Sequence, residues 1–467
     1  MHSTGQLPAQ AAAEFLASRI DYERSLSVPY NQRDLRLDRM RDLLHRLGNP
    51  QDRLRIVHVA GTKGKGSTAA MIAAVLTAGG FRTGLYSSPH LDGVEERLAI
   101  DGQSCPAEEL VELIGRVRPA VEAMDALSTD GSDTRPTYFE IVTALALLRF
   151  AEQGVDAAVL EVGMGGRLDS TNVCQPLISV ITTISFDHTQ QLGNTLAAIA
   201  GEKAGIIKPG VPVVSGVIDH EPRDVIRKVA DVQGCRLVEL ARDFDFMYHP
   251  PRALDAGPSD ATLDVRVLTD PQGSAHYQSL QLPLVGRHQA ANAAVALATI
   301  EELRRQGWPI TDAAVREGLN RVRWPARIEV IARRPTIVLD AAHNVASVEA
   351  LVEVLGESFA ARRRVLVFAT TRDKNLRGML EWLVPSFDEI IFTRYHSNPR
   401  GVAPQELVDI ARELDASRDY VMCDDARAAW EVARSRVDAQ DLLCIAGSFF
   451  IAAEMRAAME ETSRPQH

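Results

Sequence analysis

The segment Gly61-Thr62-Lys63-Gly64-Lys65-Gly66-Ser67 follows directly on the apolar run Leu54–Ala60 (LRIVHVA). It opens the stretch Ser67–Ala78, where Met71, Ile72, Val75 and Leu76 recur at helical spacing. A strand that runs into a glycine-rich turn at the start of a helix suits a bound phosphate. Glycines let backbone N–H groups turn inward around phosphate oxygens, and the helix N-terminus adds partial positive charge. Lys65 is placed to reach the terminal phosphates, with Ser67 or Thr68 beside a magnesium ion. A dinucleotide site is the competing reading. It wants an acidic residue at the end of the second strand to bind a ribose hydroxyl. The second strand, Thr83–Tyr86, runs instead into Ser87-Ser88-Pro89-His90, which disfavours NAD.

Outward from that turn, other strands deliver polar residues to the same sheet edge. The apolar strand Ala157–Val162 carries Glu161 into Gly163-Met164-Gly165-Gly166-Arg167-Leu168-Asp169-Ser170-Thr171-Asn172. Ligands bind at the carboxyl edge of open α/β sheets, and a carboxylate beside a phosphate loop is a natural magnesium ligand. The strand Leu177–Ile184 runs into Ser185-Phe186-Asp187-His188, a second polar pair for the edge. Lys203, in a helix over Leu196–Gly205, reads on residue type alone as a solvated helix residue. Farther on, strand Thr336–Leu339 delivers Asp340-Ala341-Ala342-His343-Asn344, and Gly447-Ser448 ends the last strand. Asn292 and Arg327 lie in between, and each of these polar groups taken singly is weak.

Short β-branched runs alternate with helices from Leu54 to Ser215, which indicates a parallel sheet covered on both faces. Residues 242–282 break the pattern with the Pro/Gly-rich stretch HPPRALDAGPSD and alternating strands such as Thr262–Leu268, which read as antiparallel. A helix resumes over Gln289–Gln306. Trp324–Pro325 interrupts the pattern again, and five strands then alternate with helices: Thr336–Leu339, Arg364–Ala369, Glu389–Thr393, Tyr420–Cys423 and Leu442–Ala446. The economical reading is two α/β domains, residues 1–323 and 324–467, with residues 1–53 as a mostly helical preamble.

Composition narrows the classes of function. The 467 residues carry 51 Lys+Arg against 62 Asp+Glu, a net charge of −11, with 46% hydrophobic and 24% charged residues. Such a chain is an ordinary globular one, and without a basic block it is not suited to nucleic acid. The five scattered cysteines form no CxxC or Cys/His cluster and are expected to be small reduced core residues. Met1–Ala13 shows no basic region followed by an apolar run, and no apolar stretch approaches the roughly 20 residues of a membrane span. A cytoplasmic protein that neither spans nor anchors to a membrane, acting as a monomer, is the expectation.

The set HVAGTKGKGST, SSPHL, EVGMGGRLDSTN, ISFDH, EKAGIIKPG, GRHQAANA and DAAHN resembles the folylpolyglutamate synthase/dihydrofolate synthase family of the Mur ligase superfamily. The resemblance runs in order from about residue 20 to 455. It implies an N-terminal P-loop ATPase domain with a mainly parallel sheet and a smaller C-terminal Rossmann-like α/β domain, with the active site between them. It also implies the reaction: ATP phosphorylates a folate or dihydropteroate carboxylate, and the amino group of L-glutamate attacks the acyl phosphate.

Carried over residue by residue, Gly61, Thr62, Gly64, Lys65, Gly66 and Ser67 would hold the ATP phosphates, and Asn292, Arg327 and Asp340 would also contact ATP. Ser88, Glu161 and His188, with Ser67, would bind Mg2+. Lys203 matches the lysine that is carbamylated in this family, which overturns its reading as a solvated residue. His343 and Ser448 would serve the γ-phosphate or glutamate side. Lys65, Lys203, His188 and His343 are thereby the implied catalytic residues. Lys63 stands where many bacterial members have Asn. Residues 1–19 and the insert 249–262 have no clear counterpart, and 22–36, where the family begins its pterin site, diverge too far for residue assignments.

Two other functions compete. A ligase of cell-wall UDP-precursors is disfavoured because that group has an extra N-terminal uridine-nucleotide domain, and here only 53 residues precede the first strand region. A nucleotide-binding regulator would have no need of Lys65, Glu161, His188 and Lys203 together.

Overall fold

The computed structural model describes residues 9–25, 37–128, 134–270 and 273–463. Residues 1–8, part of the stretch scanned for a leader, and 26–36, most of the divergent 22–36 segment, lie outside the described residues.

Sixteen strands are found among the described residues, in three sheets. The first sheet contains β1 (Ile56–Ala60), β2 (Thr83–Tyr86), β3 (Leu98–Ile100), β4 (Ala157–Glu161), β5 (Ile178–Ile181), β6 (Val213–Ser215) and β7 (Leu237–Glu239), in the order β3-β2-β4-β1-β5-β6-β7. Every pairing is parallel except β2 with the edge strand β3. Strands β1, β2, β4 and β5 are buried at every position, the burial that their unbroken apolar runs demand. The second sheet is a meander of β8 (Phe244–His249), β9 (Ala261–Asp270) and β10 (Gly273–Leu282), in the order β10-β9-β8.

The third sheet contains β11 (Glu329–Arg333), β12 (Thr336–Leu339), β13 (Arg364–Phe368), β14 (Glu389–Phe392), β15 (Val421–Met422) and β16 (Leu442–Ala446). Its order is β11-β12-β16-β13-β14-β15, parallel apart from β11. Both large sheets are thus mainly parallel α/β sheets, each with one antiparallel edge strand.

The backbone groups two compact units. One takes Met1–Met247, Asp264–Leu280 and Ala291–Val322; the other takes Tyr248–Leu263, Gln281–Ala290 and Arg323–His467. The larger unit has a core around Ile141–Phe150 and Leu160, and another around Ile181, Ile199 and Val213. The smaller unit is built on Val338, Leu366, Phe368, Phe392 and Cys444.

Some differences from the sequence expectation have physical causes. Strand β5 stops at Ile181 rather than Ile184 because the next residues leave the ladder for the glycine-rich turn. Thr62 N–H donates to Thr183 O at 2.7 Å, and Thr182 Oγ1 donates to Lys63 O at 2.6 Å. The helix after the turn begins at Lys65, two residues early, with Gly64 as its cap at φ 78°. The edge strands β3 and β11 escape sequence reading because one has only three residues and the other is half-exposed along its length. Four cysteines are buried, Cys235 is half-buried, and all five are free. No helix among the described residues is long and apolar enough to cross a membrane.

Candidate functional site

Strand β1 sits centrally between β4 and β5, so its carboxyl end lies where ligands gather in such sheets. The turn that follows is held on every side. Its contacts with Thr182 and Thr183 are joined by Thr62 Oγ1 donating to Ser185 O at 3.2 Å and by Lys63 N–H donating to Thr183 Oγ1 at 3.2 Å. A Cβ on Gly61 would lie 1.9 Å from Thr182 Oγ1, and one on Gly64 would lie 2.1 Å from Asn292 Oδ1. Asn292, on helix Arg287–Arg305, is therefore set against the glycine-rich turn itself. Only glycine fits these two places, and the backbone shape is fixed before any ligand arrives.

Lys203 is buried, not solvated, which corrects the reading from residue type alone. Its Nζ donates to Gly61 O at 2.9 Å. Burial, reinforced by the Lys65 ammonium beside it, lowers its pKa to about 7; Asp187, Asp169 and Glu202 pull the other way. The helix that carries it, Leu196–Ala204, is capped by Thr195 and buries Ile199, Ala200 and Ala204 together with Lys203. The structure thus brings Lys65, Lys203, Gly61, Gly64, Asn292 and Asp187 together.

Glu161 ends β4 in register with Val59 of β1, two residues before Gly61. It is buried, and its Oε2 accepts from Ser88 N–H at 3.2 Å. His188 takes φ 49° at the start of a one-turn helix, its ring is about a third exposed, and Asp187 lies 4.0 Å away. Ser67 and Thr68 are both buried on the first turn of helix Lys65–Ala78.

Does this donor set suit magnesium? Among the described residues no group of three or more His, Cys, Asp or Glu could hold a metal ion. The available donors are one carboxylate, one imidazole and several hydroxyls. Magnesium is held by one or two carboxylates together with substrate phosphates and water, so the set fits that ion and not a cation wanting an all-protein cage. The buried hydroxyls of Thr68 and Ser185 have no hydrogen-bond partner, as a cradle for an oxygen-rich ligand would leave them.

The smaller unit has its own polar edge. Asp340, buried at the end of β12, accepts from Ile328 N–H at 2.8 Å and from Ala342 N–H at 2.7 Å. Burial raises its pKa, and Arg327 opposes the rise. The Arg327 guanidinium stands 4.6 Å over the Phe449 ring. His343 points Nδ1 at Ala341 O, 2.8 Å away, so Nδ1 carries hydrogen and donates to that carbonyl. Ser448 is buried after β16, where its Oγ accepts from Ile451 N–H at 3.2 Å. Parallel pairing of β12 and β13 with β16 places Asp340, Ala369 and Ser448 at one carboxyl edge.

Thr182 and Thr183 were not among the sequence candidates, whereas Asp187 was named there only as part of the polar pair ending its strand. The available signal was a run of hydroxyl residues ending an otherwise apolar strand.

Residues 59–300 match the Mur ligase middle domain, and residues 326–449 match the Mur ligase glutamate ligase domain. The dihydrofolate synthase/folylpolyglutamate synthase of Bacillus subtilis is 35% identical over 426 residues, covering 91% of this chain and 95% of that protein. A folylpolyglutamate synthase from Mycobacterium tuberculosis, solved with ADP, is 33% identical with a TM-score of 0.86, covering 98% of this chain and 99% of its own. The Escherichia coli structure with DHPP and ADP is 28% identical with a TM-score of 0.80, covering 97% and 98%.

Proposed function

The chain belongs to the folylpolyglutamate synthase/dihydrofolate synthase family of Mur ligases, and from that membership we propose how its residues run an ATP-dependent glutamate ligation. The acceptor is a folate or dihydropteroate, and the second substrate is L-glutamate. The observation that carries the reading is the pre-shaped turn Gly61–Ser67 with buried Lys203 bonded to its first carbonyl.

A carboxylate and an amine do not join at neutral pH, because the carboxylate carbon is electron-rich and its leaving group would be oxide. An acceptor carboxylate oxygen attacks the γ-phosphorus of ATP, and ADP leaves. The glutamate nitrogen then attacks the activated carbonyl carbon, inorganic phosphate leaves, and the nitrogen loses a proton. The turn's N–H groups and Lys65 hold the phosphates and meet the charge that spreads over the transferred oxygens. Asn292, packed on Gly64, orients the turn from the helix side. Arg327, Asp340 and His343 serve nucleotide and γ-phosphate, while His343 and Ser448 face glutamate.

Ser88, Glu161 and His188, with Ser67, would hold Mg2+. When bound, the ion would draw charge from the phosphoryl oxygens. Lys203 supplies what the donor set lacks: near pH 7 its amine is half neutral, and a neutral amine adds to CO2, releasing a proton and leaving a carbamate carboxylate. Residues 1–323 form the ATP-binding domain in this reading and 324–467 the glutamate ligase domain. The protein works as a cytoplasmic monomer.

The test is isotopic. With 18O in the acceptor carboxylate, one labelled oxygen should appear in the released phosphate whenever product forms. Product with unlabelled phosphate would refute the acyl-phosphate route.

A further inference from the structure

One buried network lies outside the residues given a role above. His58, in the middle of β1, is fully buried in an otherwise apolar strand. Its Nε2 lies 2.8 Å from Thr171 Oγ1, and its Nδ1 lies 3.7 Å from Cys174 Sγ. Thr171 Oγ1 donates to Asp169 Oδ1 at 2.5 Å. Asp169 also accepts from the N–H groups of Thr171 and Met164, each at 3.0 Å.

Burial raises the Asp169 pKa and the donors around it, the Thr171 hydroxyl and the Met164, Thr171 and Gly163 N–H groups, oppose the rise; with this carboxylate ionised, the direction of every bond follows from it. Thr171 has one hydroxyl proton and gives it to Asp169, so it offers the histidine only a lone pair. The ring nitrogen facing it must therefore carry hydrogen. Burial keeps the imidazole neutral, with its pKa lowered to about 3, so the other nitrogen is bare. That nitrogen faces a thiol which burial keeps protonated, its pKa raised to about 12. Cys174 donates to His58, His58 to Thr171, and Thr171 to Asp169, each proton used once.

The segment secured by this chain runs from Glu161 to the helix that bears Lys203. A Cβ on Gly166 would lie 2.8 Å from Glu202 O and 3.0 Å from Lys203 O. Arg167 N–H donates to Glu202 O at 2.8 Å, and Asn172 Nδ2 donates to Gly205 O at 3.1 Å. We propose that His58 is a positioning residue for the reaction: fixed as its Nε2–H tautomer, it anchors through Thr171 and Asp169 the segment that sets Glu161 and Lys203 in place. What those two residues do rests on the ligase reading, but the tautomer does not.

The experiment uses the full chain with 15N in the histidine ring nitrogens. The His58 signals, identified by their loss in His58→Gln, should report hydrogen on Nε2 and a bare Nδ1. His58→Leu and Thr171→Val, each of which cuts the chain, should lose about 10- to 100-fold in kcat, as losses of residues that orient metal ligands do. KM for the acceptor should change little, and more Mg2+ should be needed for half-maximal rate. His58→Gln, whose amide can still donate, should recover to within about threefold of the parent, whereas a role in filling space alone would favour Leu. Hydrogen on Nδ1 in the parent, or an unchanged kcat in folded His58→Leu or Thr171→Val, would overturn the proposal. If the parent makes no product with either acceptor, the ligase reading fails, and the ring nitrogens still decide the anchor.

Discussion

The two α/β units present polar residues at a carboxyl sheet edge by different means. In the larger unit the backbone does the shaping: Gly61 and Gly64 stand where no Cβ fits, and Lys203 is buried beside Lys65, with Asp187, Asp169 and Glu202 opposing the resulting loss of charge. In the smaller unit side chains are held by amides and carbonyls near them: Asp340 by Ile328 and Ala342, His343 by Ala341, Ser448 by Ile451. The first arrangement stores its specificity in geometry and desolvation. The second stores it in satisfied hydrogen bonds. Substitutions at Gly64 and Lys203 should therefore act on turnover, and those at Arg327 and Asp340 on nucleotide affinity and stability.

The largest effect is expected from Lys203→Ala. The turnover number should fall about 10³-fold, the scale of losing a centre that stabilises developing charge, and a small added carboxylate should restore part of it. Normal turnover would remove the carbamate from the account. The same residue gives a pH test. Its amine is neutral above about pH 7 and protonated below. At fixed dissolved CO2, carbamate formation followed by 13C signal should therefore be about tenfold slower at pH 6 than at pH 8. A flat profile would contradict the desolvated lysine.

Next comes Gly64→Ala, whose Cβ must displace Asn292 and adopt φ 78°. A shift of about 1 Å in a phosphate cradle costs about 10²-fold in rate, with the fold intact by circular dichroism. A mild effect would mean the turn is not pre-shaped. In the smaller unit, Arg327→Ala should raise KM for ATP about tenfold with kcat little changed, equivalent to about 1.4 kcal/mol. The smallest effect belongs to Asp340→Asn. Its amide can accept from only one of the two N–H groups, so about 1–3 kcal/mol of stability should be lost on thermal unfolding. If Asp340→Asn instead abolished turnover without destabilising, the contrast between the units would collapse.

Much of this was legible in the sequence because the informative residues are backbone-determined. Thr83–Tyr86, Thr336–Leu339 and Leu442–Ala446 are apolar runs bounded by polar or glycine residues, and each is a strand over those same residues. The turn shows in its glycines, although what bars a Cβ there, Thr182 and Asn292, comes from far along the chain. Lys203 was not legible from residue type, since its burial comes from packing of its helix against Gly61 and Gly166, far away in the chain. His58 was hidden for a similar reason. One polar residue inside IVHVA looks like an exception until Thr171 and Cys174 are seen beside it. The Tyr248–Leu263 stretch groups with the later residues through contacts such as Leu254 N–H to Ser358 O at 2.9 Å, which no local pattern announces.

The proposed ligation stands on the pre-shaped turn and the buried Lys203 bonded to its first carbonyl. The most direct measurement is ADP release with dihydropteroate or tetrahydrofolate, with and without L-glutamate, read alongside product mass. Steady-state ADP release should depend on both acceptor and glutamate, with each product heavier than its acceptor by one glutamyl residue. ADP release that ignores glutamate, or no added glutamyl residue on either acceptor, would contradict it.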